Sequence, residues 1–85
     1  MAKYVVSTYT ANRTLKLIAH FKGDLAVARH DVQIGLDSLG DDYTDVRSER
    51  VLSLLNRLLS LTPERQAQWL TTLETIAASE VEAVR

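Results

Sequence analysis

The run Val51-Leu52-Ser53-Leu54-Leu55-Asn56-Arg57-Leu58-Leu59-Ser60-Leu61 constrains this chain more than any other segment. Its polar residues Ser53, Asn56, Arg57 and Ser60 recur at spacings of three, one and three, which on a helix makes a single narrow stripe. Val51, Leu52, Leu54, Leu55, Leu58, Leu59 and Leu61 occupy the rest of the circumference. A surface helix usually buries an apolar arc of roughly 100° or a little more. A wider arc must be covered from several sides. In a chain of 85 residues that requirement predicts a second chain among the covering elements, hence an oligomer or a protein partner.

The size of the chain sharpens the point. Residues 1–85 are read as a single small domain. Such a domain buries only about 60–65% of its unfolded surface and gains from disulfides, metals or oligomerisation. There are no cysteines, so disulfides and thiolate metal sites are excluded. His20 and His30 are ten residues apart, without the i, i+4 spacing of a helical zinc pair. No cofactor or metal is expected, and self-association is the aid that remains. No apolar run reaches the roughly 18 residues of a membrane span, and the first ten residues lack the core of a signal peptide. The expectation is a cytoplasmic protein that does not enter a membrane.

The fold predicted from pattern is mainly α: three to four short helices, a C-terminal antiparallel helical hairpin and a short N-terminal β-strand, in an oligomer. The strand is placed over residues 3–10, where Tyr4, Val5, Val6, Thr8, Tyr9 and Thr10 favour extended backbone. A helix follows over Arg13 to Lys22, with Asn12 as its cap and Gly23 just past its end. Alternation of Leu15, Leu17, Ala19 and Phe21 with polar residues also fits a strand, with Gly23-Asp24 as a hairpin turn. The helix is favoured because Leu, Lys, Ala and Arg are good helix formers.

Asp24 caps the next helix, whose Leu25, Ala28, Val32, Leu36 and Leu39 fall at spacings of three, four, four and three before Gly40. Gly35 inside it costs about 1 kcal/mol relative to alanine, so a close contact is expected there. Asp41 to Asp45 reads as a polar loop, and Thr44 or Asp45 begins the leucine-rich helix. Thr62-Pro63-Glu64 is the sharpest boundary in the chain: a capping threonine, a proline at the first helical position and an acid in the first turn. The short connection before Pro63 predicts that the last two helices form an antiparallel hairpin.

No chemistry-bearing pattern in the chain is complete. Gly35-Leu36-Asp37-Ser38-Leu39-Gly40 does not have the spacing of a Gly-x-Ser-x-Gly elbow. His30 and Asp31 are helical neighbours and point about 100° apart, so they cannot readily serve as base and orienter. Asp37, Asp41, Asp42 and Asp45 do not follow the calcium-loop pattern, which needs a glycine where Asp42 stands. Three isolated glycines make no phosphate cradle. No enzyme is expected.

Charge is unevenly spread. Residues 1–30 carry five cations against Asp24, a net +4, and residues 31–85 carry five arginines against ten acids, a net −5. A helix-turn-helix reading is met at Ala19 and Gly23 but fails at its packing positions, which hold Lys22, Asp24 and Arg29. Arg13, Lys16, His20 and Lys22 are the candidate nucleic-acid contacts of a secondary reading, a DNA-binding regulator. The primary reading is a non-catalytic regulatory protein that binds and modulates, by inhibition, another protein. It makes a homo-oligomer and uses Leu52, Leu55, Leu58, Leu59, Trp69, Leu73 and Ile76 as its oligomer or partner interface. Trp69 is also read as core, and both hold if the core continues across a dimer.

If Thr62 caps the last helix, Thr62→Ala costs about 1 kcal/mol. A thermal melt unchanged by that substitution would place the helix boundary elsewhere.

Overall fold

A computed structural model describes residues 6–40 and 45–84, with side chains through residue 78. Among the described residues the chain forms four helices, α1 (Thr8–His20), α2 (Leu25–Asp37), α3 (Val46–Leu59) and α4 (Pro63–Val84), and no strand. The expected N-terminal strand is corrected by α1. Residues 3–5 lie outside the described residues, but Thr8, Tyr9 and Thr10 form the first helical turn. The reason is local. Ser7, in extended backbone, accepts a hydrogen bond from the Thr10 N–H at 3.2 Å, and its hydroxyl donates to Thr10 Oγ1 at 3.0 Å. This cap outweighs the weak helix propensity of β-branched residues. Asn12, expected to be the cap, lies inside the helix.

α1 ends in a Schellman motif. The Gly23 N–H donates to the Ile18 carbonyl at 2.8 Å and the Lys22 N–H to the Ala19 carbonyl at 3.0 Å. The left-handed position that normally takes glycine is held by Lys22, with φ +54°, while Gly23 follows with φ +88°. Residues 15–20 are therefore helical, with Phe21 as the C-cap, and Gly23-Asp24 joins two helices rather than two strands.

The other starts are as expected. The Asp24 carboxylate accepts from the Val27 N–H at 3.1 Å, that of Asp45 from the Ser48 N–H at 3.1 Å, and Thr62 Oγ1 from the Arg65 N–H at 3.3 Å. α2 stops at Asp37, short of Gly40, where the Ser38 N–H bonds back to the Ile34 carbonyl and the Ser38 hydroxyl to the Gly35 carbonyl. Leu39 is consequently outside the helix and exposed.

Among the described residues nine apolar side chains are buried, and four of them, Val51, Leu54, Leu55 and Leu58, come from α3. Ala11 and Ile18 of α1, Leu25 and Ala28 of α2 and Leu73 of α4 close around them. α4 packs chiefly on α1, and α3 chiefly on α2 and then α1. Among the described residues the backbones of α2 and α4 do not approach one another closely, and the two helices flank the α1–α3 pair. The expected close hairpin of α3 and α4 is not the dominant packing. These helices meet sparingly, tied by the Gln66 side-chain N–H to the Leu58 carbonyl at 3.0 Å and by the Arg57 guanidinium 5.5 Å from the Trp69 ring centre. The inner part of α3's apolar arc is thus covered by three helices of its own chain, while Leu52 is half-buried and Leu59 exposed.

A non-glycine residue at a left-handed position costs roughly 1 kcal/mol. Lys22→Gly should therefore raise stability by about that amount, read as an upward shift of the urea or thermal midpoint, because the lysine side chain is exposed.

Candidate functional site

The capping chemistry that sets the helix starts also shapes a cleft of about 460 Å³ between α1, α2 and the first turn of α3. α1 contributes Arg13, Lys16, Leu17 and His20, at spacings that share one helical face. α2 contributes Asp31, Val32, Gly35 and Leu36, with Leu39 just beyond it, and α3 begins at the cleft's end with Asp45 and Ser48. Leu17, Val32 and Leu36 are half-buried and make an apolar floor, while Arg13, Lys16, His20, Asp31 and Leu39 are exposed around it.

Two of these groups are held by their surroundings. The Arg13 guanidinium donates to the Tyr9 hydroxyl at 3.4 Å, and Arg47 of α3 lies over the Tyr9 ring at 4.8 Å. The His20 ring meets Phe21 edge-on, with centroids 4.9 Å apart. Lys16, His20 and Asp31 make no hydrogen bond or ion pair with another described residue. Asp45 is committed to the fold. It accepts from the Ser48 hydroxyl at 2.7 Å as well as from the Ser48 N–H, and these two bonds hold its carboxyl below the ordinary carboxylate pKa. Partial desolvation opposes them, and the Arg13 charge and the Arg47 N–H add to them. Because the Ser48 hydroxyl donates to that carboxylate, its proton is engaged in the cap.

Gly35 lies in the wall of this cleft, and the close contact expected at it is absent. A Cβ built there would meet no atom within 4 Å. The glycine leaves an opening instead of accommodating a neighbour.

The sequence-predicted interface residues fall into different places. Leu55, Leu58 and Leu73 are 0% exposed and belong to the core. Trp69 and Ile76 are half-buried and packed against that core, Leu52 is half-buried, and Leu59 is 39% exposed. The candidate nucleic-acid contacts Arg13, Lys16 and His20 do share one exposed face, and Lys22 stands apart in the α1–α2 turn. The α2 wall was not singled out as a site. Its one signal was Gly35, read as internal packing. Among the described residues no group of three or more metal-ligating side chains comes together, and no helix is long and apolar enough to cross a membrane.

A carboxylate with a lowered pKa in the folded state stabilises the fold above its ordinary value of about 3.9 and ceases to do so as pH falls through the lowered one. Asp45→Asn should flatten the loss of stability between about pH 5 and pH 2 relative to wild type. Equal acid slopes in the two proteins would show that this cap carries none of the dependence.

No protein-family model, curated protein or solved structure matches this chain.

Proposed function

We propose that this chain is a non-catalytic regulatory protein that acts by binding another protein, modulating it by occupying one of its surfaces. The observation that carries the reading is the α1–α2 cleft, an apolar floor of Leu17, Val32 and Leu36 rimmed by exposed polar and charged side chains, among them Arg13, Lys16 and Asp31. An apolar centre within a polar rim is the anatomy of a protein interface. Val27 and Ile34 of α2 and Val46 of α3 are also exposed apolar side chains, outside the cleft lining.

The homo-oligomer keeps only part of its first motivation, because Val51, Leu54, Leu55 and Leu58 are buried within one chain while Leu52 is half-buried and Leu59 exposed. Self-association is retained only through the exposed groups Val27, Ile34, Val46 and Leu59. The DNA-binding alternative gains one observation, the shared exposed face of Arg13, Lys16 and His20. It ranks second because Asp31 and Asp45 line the same cleft and would repel a phosphate backbone, whose binding depends on accumulated cationic contacts.

The test is affinity purification from the source cell with the wild-type chain and with Leu39→Glu, which places a charge at an exposed cleft position without touching the core. The reading expects one protein recovered stoichiometrically with wild type and reduced at least tenfold with Leu39→Glu, while both melt alike. Recovery that is nuclease-sensitive, or indifferent to Leu39→Glu, would overturn it.

A further inference from the structure

The cleft has a shape, a charge distribution and a gap that together narrow what it can hold. On α1 the lining residues run from Arg13 to His20 and on α2 from Asp31 to Leu39. Each wall is about two helical turns, roughly 10 Å at 1.5 Å per residue. A trough of that length between two helices suits the apolar row of a third, read as anchors at i, i+3 or i+4 and i+7. A peptide that binds by strand addition would need a sheet edge, and the described residues contain no strand.

Charge is divided between the walls. The α1 wall presents Arg13, Lys16 and His20, and the α2 wall presents Asp31. Asp45, at the end, keeps its negative charge while it accepts from Ser48, and it partly offsets the charge of Arg13. The edge of an occupant that faces α1 is therefore favoured when acidic, and the edge that faces Asp31 when neutral or basic.

Gly35 supplies the third element. A glycine within a helix weakens it relative to alanine, and here it gains no compensating contact inside the chain. Small residues allow two helical backbones to approach closely. An opening of this kind in the α2 wall, beside Val32 and Leu36, is where a partner backbone could come nearest.

We infer that the occupant of this cleft is a short amphipathic helix of the partner protein, with acidic residues along one edge, crossing α2 at Gly35. The inference rests on the reading of the cleft as a protein-binding surface and adds the conformation, charge and crossing point of what binds. The occupant's apolar row fills the floor between Leu17 and Leu36, and its acidic edge pairs with Lys16 and Arg13.

The test uses the full chain and a display library of helix-stabilised peptides. The strongest binder is then synthesised beside a copy in which each Glu or Asp is replaced by Lys. The expected result is enrichment of peptides with an apolar i, i+4, i+7 row and an acidic edge. The acidic peptide should bind at least tenfold tighter than its lysine copy, and Lys16→Glu should invert that preference. Gly35→Leu should weaken binding at least tenfold, whereas Lys22→Gly, away from the cleft, should leave it unchanged. Circular-dichroism melts show that each variant is folded, and amide shifts on titration should centre on residues 13–20 and 31–39. No enrichment, indifference to peptide charge, enrichment of extended sequences, or shifts outside the cleft would overturn it. So would a concentration-dependent dimer of the chain, abolished by Lys16→Glu, that blocks the peptides. If no acidic helix is selected while Leu39→Glu still costs the cellular partner, the protein-binding reading stands and this one falls.

Discussion

Burial of the α3 seam is the interaction on which the other elements depend. Val51, Leu54, Leu55 and Leu58 are removed from water together, at spacings of three, one and three that put them on one face. Each large apolar side chain so buried contributes roughly 1.5–3 kcal/mol. Among the described residues α1, α2 and α4 contribute one or two buried apolar residues each, fewer than the four of the seam. With so little apolar area, every helix must also be finished well at its ends. The side-chain caps from Ser7, Asp24, Asp45 and Thr62 meet that need. One defect is left in the centre: the hydroxyl of the fully buried Thr14 has no partner among the described residues.

Three of the four helix starts were legible because capping is a matter of a few adjacent residues. Asp24, Asp45 and Thr62-Pro63 need only their own side chains and the next turn of backbone. The fourth start was hidden by composition. Thr8, Tyr9 and Thr10 have strand propensities, but a strand requires a second strand and a helix requires only Ser7. Thr10 and Thr14 then bury on the inner face of α1 with Ala11 and Ile18, a pattern in which small polar residues stand where the sequence shows no apolar periodicity. For α3, the sequence showed how wide the apolar arc was but not what covered it. Whether Leu55 faces α1 of the same chain or a second chain is decided by contacts far apart in sequence.

The cleft was half legible for the same reason. Arg13, Lys16 and His20 share a face by helical arithmetic alone. The opposite wall is brought to them by the Phe21–Asp24 turn, and the cleft's end by the position of α3. Asp31, Val32 and Leu36 carry no local mark that they will stand across from cations. Gly35 carried a mark, a helix-weakening residue without a local excuse, and its meaning changed when the space around it proved empty.

The buried residues of α2, Leu25 and Ala28, both lie in its first half. Beyond Ala28 its side chains are at most half-buried, and α4 offers it no support. Local opening free energies follow such differences in burial and contact. By that rule the second half of α2 is expected to open more readily than the α3 seam, which amide exchange would read as faster exchange over its last two turns. A ligand seated between Val32 and Leu39 would order that half-helix as it binds, and part of its intrinsic affinity would be expended on the ordering. Substitutions that stiffen the end of α2 from outside the cleft would thereby tighten binding without adding a contact.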